Sequence, residues 1–219
     1  MYELLVKSVE FISDSIFEIS FERDGIAFEA GNCFSLFNST NSLRPYSVAS
    51  GTDDDELRFV IRKMPNGEVS PWLSKRVSGD KVQASQPFGW FRPGQSDVSE
   101  KSVFLATGTG IAPFLAFLNS PRSSQSNIRC LYGVRHEADA VRLDFLKEKT
   151  NLSLTVSRDT DTAYHHGRIT DILDGLELNE ETHYYLCGLD AMIDESSEWL
   201  EKQGVDFTQI HQEVFFHAS

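Results

Sequence analysis

Hydrophobic and polar positions change rhythm near the middle of the chain. In residues 1–90 the apolar residues come in short runs or alternate with polar ones: Leu4-Leu5-Val6, then Ile16-Phe17-Glu18-Ile19-Ser20-Phe21, then Leu57-Arg58-Phe59-Val60-Ile61. Alternation of this kind marks strands with one buried face. Gly25, Gly31 and the polar stretches 38–42, 51–55, 65–67 and 78–80 punctuate them as turns. Strands at this spacing predict an antiparallel β-barrel. One short helix is expected at Ser70-Pro71-Trp72-Leu73, with Ser70 as its N-cap and Pro71 as its first helical residue.

Residues 92–100 are polar and turn-rich, which puts a boundary between a domain at 1–95 and a second at 100–219. Beyond it the period lengthens. Strands are predicted at 102–106, 127–132, 152–156 and 183–186. Helices are predicted at 113–118, 142–149, from 169–173, and at 191–203, the last with Gly204 as its C-cap. Strand alternating with helix predicts an α/β domain built on a doubly wound parallel sheet.

Composition narrows the classes. The chain has 219 residues, 40% hydrophobic with 16 Phe, enough for one large or two small cores. Its net charge is −13, with the larger share of the acidity in the second half, so a nucleic-acid binder is not expected. The three cysteines, Cys33, Cys130 and Cys187, have no metal or iron–sulfur spacing, and their odd number argues against a disulfide framework. His165-His166 lacks further ligands at metal spacing. The first residues lack a basic, apolar leader, and the longest apolar run, 111–118, is too short to span a bilayer. A cytoplasmic protein without membrane attachment is expected. The acidic run 53–56 reads as a solvated turn.

Two stretches carry candidate chemistry. Arg44-Pro45-Tyr46-Ser47 sets Arg44 and Tyr46 on one face of an extended strand and Ser47 on the other. A guanidinium beside a ring suits a phosphate attached to a flat ring system. Four residues alone read equally well as a surface strand bent by Pro. Thr107-Gly108-Thr109-Gly110-Ile111-Ala112-Pro113 lies between a strand and a helix, where backbone N–H groups face an anion. It departs from G-x-G-x-x-G at Ala112-Pro113, and packing glycines are the alternative.

Further stretches follow in order: Gly67-Glu68-Val69-Ser70-Pro71-Trp72-Leu73, Tyr132-Gly133-Val134-Arg135, Ser157-Arg158-Asp159, Gly167-Arg168, Cys187-Gly188, and Glu213-Val214-Phe215-Phe216. With the first two, this set resembles the ferredoxin–NADP reductase superfamily over most of the chain, and within it the bacterial ferredoxin/flavodoxin–NADP reductases.

The resemblance implies a FAD-binding barrel and an NADP-binding α/β domain. It implies hydride transfer between NADPH and flavin N5, with single electrons passing to or from ferredoxin or flavodoxin. Arg44 with Pro45 would meet the flavin pyrophosphate, Tyr46 the flavin face and ribityl chain, and Ser47 the N5 edge. Val60, Ile61, Arg62 and Lys63 would run beside the ribityl and phosphate groups. Glu68, Val69 and Ser70 match the flavin-phosphate loop, and a second phosphate site implies FAD rather than FMN. Gly108, Thr109 and Gly110 would lie where flavin and nicotinamide nucleotide meet. Cys187, followed by Gly188, would stand near hydride transfer, although a small core hydrophobe is the plainer reading. Glu213 would be the C-terminal carboxylate. Phe215 would cover the flavin and Phe216 extend toward adenine; the commoner residue at 215 is Tyr, and His217-Ala218-Ser219 extends past it.

Charge bears on the nucleotide. NAD-binding folds usually place an acid after the second strand for the ribose hydroxyls. Here Arg135 stands there, with Ser157, Arg158 and Arg168 beyond the next strand, a set that suits a 2′-phosphate; ordinary surface arginines are the alternative. Arg62, Lys63, Lys75, Arg76 and Arg92 are candidates for a basic patch toward an acidic electron carrier. A monomer is expected. Two other readings remain at this level: an NADH-dependent reductase component of an oxygenase, and a non-catalytic FAD-binding electron-transfer subunit.

Overall fold

The computed structural model describes residues 1–94, 101–121 and 127–214. Phe215, Phe216 and His217-Ala218-Ser219 therefore lie outside the described residues, as does most of the expected boundary at 92–100. Two compact units form: Met1–Trp90 with Ala112–Pro121, and Phe91–Ile111 with Arg122–Ser219.

The first unit is the antiparallel sheet that the alternation predicts. β1 (Tyr2–Ser13) and β2 (Ile16–Glu22) pair as a hairpin, and β2 pairs in turn with β5 (Glu56–Arg62). Register brings Ile19 opposite Phe59 and Phe21 opposite Leu57, so one face of each strand is apolar. β3 (Cys33–Phe37), β4 (Leu43–Ser47) and β6 (Lys81–Ala84) complete the order β4-β3-β6-β1-β2-β5. Phe21, Phe34 and Phe59 are fully buried; Phe59 meets each of the other two edge-on at 5.9 Å. These rings fill the interior with large apolar area and favourable geometry.

An isolated bridge between Val48 and Phe59 joins the two outer strands and closes the barrel. Beside it, Ala49 N–H donates to the Arg58 carbonyl at 2.7 Å. No strand ladder continues past this bridge among the described residues, so β4 and the end of β5 leave an open seam.

The helix near 70 forms, with different chemistry from that expected. α1 (Ser70–Leu73) has Val69 in the N-cap position and no side-chain cap. Ser70 is instead the first helical residue. Its hydroxyl accepts the Met64 N–H at 3.0 Å and closes the loop before the helix.

The second unit is a parallel sheet of β7 (Lys101–Thr107), β8 (Asn127–Val134), β9 (Asn151–Val156), β10 (His165–His166), β11 (His183–Gly188) and β12 (Ile210–Val214). Their order is β10-β9-β8-β7-β11-β12. The chain steps outward from β7 to β10, then crosses back to start β11 on the other side of β7. The switch point of this doubly wound sheet therefore lies between β7 and β11. Phe104, Tyr132, Tyr184 and Tyr185 are fully buried in it.

The helices of this half of the chain depart from the expected bounds by one residue, or differ in type. A 3₁₀ turn, Gly108–Ile111, leads into α2 (Ala112–Leu118), whose seven residues are all buried and which groups with the first unit. α3 (Leu143–Lys149) excludes Arg142, which takes a left-handed φ of 52° before the first turn. The segment Ile169–Gly175 is a 3₁₀ helix rather than an α-helix. α4 (Asp190–Lys202) has Gln203 as its C-cap, and Gly204, the expected cap, follows one position later with φ 89°.

Candidate functional site

The strand β4 places its side chains as period-two geometry requires. Arg44 is exposed, Tyr46 half-buried and Ser47 buried. Arg44 opposes Leu36, Tyr46 opposes Phe34, and Ser47 opposes Cys33. The Arg44 guanidinium donates to the Leu43 carbonyl at 2.7 Å and otherwise reaches solvent. Tyr46 packs against the barrel core, and burial pushes its phenol pKa well up, with Arg44 pulling weakly the other way. Its hydroxyl therefore stays protonated at any ordinary pH. The Ser47 hydroxyl lies 3.4 Å from the Cys33 sulfur.

Across the seam, Val60 and Ile61 are buried. Arg62 donates to the Ser15 hydroxyl at 3.0 Å, and the Lys63 ammonium lies over the Phe11 ring at 5.6 Å. The side chains of the Val60–Lys63 stretch are thus engaged by the barrel itself, and its outer backbone edge is what it presents at the seam. An extended edge without a ladder partner is a natural place for a polar ligand to dock. In the 64–70 loop, Ser42 Oγ donates to Glu68 Oε2 at 2.5 Å and the Asn38 amide to the Glu68 carbonyl at 3.5 Å. Val69 is buried. Arg44 and Tyr46 thus stand on β4 at one side of the seam.

In the second unit the glycine turn sits at the switch point. Gly108 starts it with φ 54°. The fully buried Tyr132 donates its hydroxyl to the Gly108 carbonyl at 3.0 Å. Gly110 is pressed on the end of β11: a Cβ there would meet the Cys187 carbonyl oxygen and stand 2.7 Å from Gly188 Cα. Gly188, with φ 143°, is pressed against Thr107, whose backbone N would lie 2.9 Å from an added Cβ. Thr107 Oγ1 also accepts the Leu189 N–H at 2.9 Å. Thr107 and Tyr132 stand in the sequence motifs without a role of their own, because both act through partners more than twenty positions away. The one local signal was a polar Thr ending an otherwise buried strand.

Cys187 is fully buried and pairs in register with Ala106 on one side and Glu213 on the other. Two of the three catalytic candidates thus stand side by side where β11 and β12 end. Ser47 belongs to the barrel unit.

The arginines gather at the same edge of this sheet. Ser157 N–H donates to the Val134 carbonyl at 3.0 Å, and Arg158 N–H to the Arg135 carbonyl at 2.9 Å. The two arginines therefore follow β8 and β9 as backbone neighbours. Both side chains are exposed and make no ion pair or hydrogen bond among the described residues. Arg168 follows β10, donates its N–H to Asp171 at 2.7 Å, and approaches Glu195 at 3.8 Å.

The nearby acids are bound elsewhere. Asp159 accepts the Glu137 N–H at 2.7 Å and lies 2.6 Å from His136 Nδ1. Those two contacts, the backbone one first, hold its carboxyl below the ordinary value. Glu137 accepts the Thr162 hydroxyl at 3.0 Å.

The candidates for a basic patch do not fall on one element. Arg62 and Lys63 end β5, and Lys75 and Arg76 follow α1. Arg76 pairs with Asp80 at 3.3 Å and covers the Trp72 ring at 4.2 Å. Arg92 lies in the second unit.

Residues 3–92 match the oxidoreductase FAD-binding domain, and residues 104–198 the oxidoreductase NAD-binding domain. Over 98% of its length the chain is 29% identical to the toluate 1,2-dioxygenase electron transfer component of Pseudomonas putida, of which it spans 67%. It is also 29% identical to the flavodoxin/ferredoxin–NADP reductase of Escherichia coli, with 86% of this chain and 85% of that protein covered. The cytochrome P450 reductase of Amycolatopsis superposes over the whole chain and 71% of its own, with a TM-score of 0.88 at 26% identity. A ferredoxin NADP+ reductase from Neisseria gonorrhoeae, solved with FAD and NADP, has the same fold, with a TM-score of 0.86, 22% identity and 98% of both chains covered. The chain belongs to the family of FAD- and NAD-binding oxidoreductases that contains the ferredoxin–NADP reductases.

Proposed function

We propose that the chain is an NADPH-dependent FAD reductase that exchanges single electrons with a ferredoxin or flavodoxin in the cytoplasm. The observation that carries the nucleotide preference is the Arg135–Arg158 pair. Two arginines with exposed side chains follow adjacent strand ends, their backbones joined by a hydrogen bond at 2.9 Å, and the acids that adjoin them in the chain, Asp159 and Glu137, accept from other donors. In a chain of net charge −13, unpaired neighbouring arginines are suited to an external anion. A 2′-phosphate at the edge of a doubly wound sheet is such an anion.

When bound, FAD supplies the step between a two-electron nicotinamide donor and a one-electron acceptor. The residues' part is to bind and orient. Arg44 would hold the flavin pyrophosphate, Tyr46 would lie along the flavin and ribityl chain, and Ser47 would present its hydroxyl at the N5 edge. The edge of Val60–Lys63 and the loop of Glu68, Val69 and Ser70 would border the phosphates. Ser70 Oγ accepts the Met64 N–H, which fixes the loop, and its own O–H would be the group that donates to a phosphate. Gly108, Thr109 and Gly110 would offer backbone N–H groups to the nicotinamide nucleotide. Cys187 and Gly188 would keep the end of β11 flat beside it, with Glu213 alongside. Ser157 and Arg168 would border the 2′-phosphate. Phe215 and Phe216 would stack on the flavin. The division into binding domains at 1–95 and 100–219 belongs to the same proposal.

A hydrogen bond to a charged group contributes about 1.5–3 kcal/mol, so one arginine–phosphate contact corresponds to about tenfold or more in affinity. Arg158→Ala is expected to raise the KM for NADPH by about that factor and leave NADH little changed. Equal losses for both nucleotides would contradict the assignment. The coverage of 98% of this chain by a dioxygenase electron transfer component supports a second reading, an NADH-accepting reductase that feeds an oxygenase.

A further inference from the structure

We propose that Asp159 is a positioning residue for the nucleotide phosphate. Its carboxylate ties the turn after β9 to the turn after β8 and holds Arg158 and Arg135 as a pre-set pair. The inference rests on the NADPH reading above.

Both oxygens of this one carboxylate are used across the two turns. Oδ1 faces His136 Nδ1 at 2.6 Å, and Oδ2 accepts the Glu137 N–H at 2.7 Å. Arg135 immediately precedes those donors, and Arg158 immediately precedes Asp159. The Arg158 N–H to Arg135 carbonyl bond closes the same ring of contacts at 2.9 Å. A third element joins it: His166 Nδ1 lies 3.0 Å from the Asp159 carbonyl, and Thr162 reaches Glu137 at 3.0 Å. Each arginine is thus flanked by fixed backbone although its own side chain is unbound. Fixing the stem in advance reduces the ordering that ligand binding must supply.

The same contacts change what Asp159 can recognise. A free carboxylate near a strand end would accept ribose hydroxyls, as in NAD-binding folds. One protein donor on each oxygen already takes part of the acceptor capacity that Asp159 would offer a diol. A carboxylate acting merely as a negative charge beside the phosphate would predict the opposite sign, since its removal would then strengthen phosphate binding.

The test is calorimetric titration of the FAD-loaded protein with adenosine 2′,5′-bisphosphate and with adenosine 5′-monophosphate. Asp159→Ala is expected to weaken the bisphosphate about tenfold, the equivalent of one charge-assisted contact, and to leave the monophosphate unchanged. The KM for NADPH should rise in parallel while kcat holds. His136→Ala, which removes one donor and keeps the carboxylate, should shift binding the same way by less. In an Arg135→Ala/Arg158→Ala background, Asp159→Ala should add nothing. Tighter bisphosphate binding, equal loss for both nucleotides, or an undiminished loss in that background would overturn the proposal. If the wild type itself binds both nucleotides equally, the NADPH reading fails and takes this inference with it. A wild-type preference that survives Asp159→Ala removes the inference alone.

Discussion

Arg44 and Ser47 stand on the same strand but divide the work by burial. Arg44 is exposed with one contact to its neighbour's carbonyl, while Ser47 is 3% exposed beside Cys33. In the proposed function the exposed guanidinium would serve affinity and the buried hydroxyl orientation. Arg44→Ala should therefore weaken FAD binding by about tenfold or more, the cost of one charge-assisted contact. Ser47→Ala should keep its FAD and show slower anaerobic flavin reduction. Flavin content after gel filtration and stopped-flow bleaching check the two; FAD loss in Ser47→Ala with none in Arg44→Ala would reverse the roles. Legibility at this scale depended on distance along the chain. The side-chain alternation across Arg44 to Ser47 is local and was readable. Ser70 looked like a helix cap because Ser before Pro usually is one. Its hydroxyl was taken by the Met64 N–H, a loop contact that no propensity encodes. The Asp159–His136 contact joins residues 23 positions apart and has no sequence signature.

At the scale of elements, periodicity located the long strands and missed the short ones. Phe17, Ile19 and Phe21 alternate with polar neighbours, so β2 was plain. β10 is two residues long, and β12 is a half-exposed edge strand, so neither shows a pattern. The glycine turn was legible as a turn. That Gly110 and Gly188 are needed for close backbone packing became visible only in the sheet, where β7 and β11 adjoin.

β12 is fastened to β11 partly through histidines. His183 Nδ1 lies 2.9 Å from His211 Nε2, the rings stack at 5.1 Å, and Tyr185 stacks on His211 at 4.6 Å. A ring-to-ring hydrogen bond needs one acceptor nitrogen, so at least one histidine must be neutral. Burial first, then the neighbouring His183, holds His211 below its ordinary value of 6.5. The unfolded chain therefore takes up this proton before the folded one. Stability should fall as pH drops through 6.5 and level off below the folded value. Melting temperatures measured from about pH 8 to about pH 5 should decline more steeply in wild type than in His211→Gln. Parallel slopes would show that the pair does not couple titration to folding.

For the whole molecule, the change from alternation to strand–helix rhythm was the most legible feature. It reports two different ways of burying a sheet, one face in a closed barrel and both faces in a doubly wound sheet. Family membership follows from matches to both halves, at residues 3–92 and 104–198. What separates one member of such a family from another is a few side chains at strand ends. In the proposed reading of this chain those are Arg135 and Arg158, with Asp159 and Glu137 held by other donors. The central claim is thus a preference between two nucleotides that differ by one phosphate. Its most direct test is anaerobic stopped-flow bleaching of the FAD-loaded protein over a range of NADPH and NADH concentrations. Half-saturation by NADPH is predicted at a concentration about tenfold or more below that for NADH, as one arginine–phosphate contact requires. Equal half-saturation, or saturation by NADH at the lower concentration, would contradict the account.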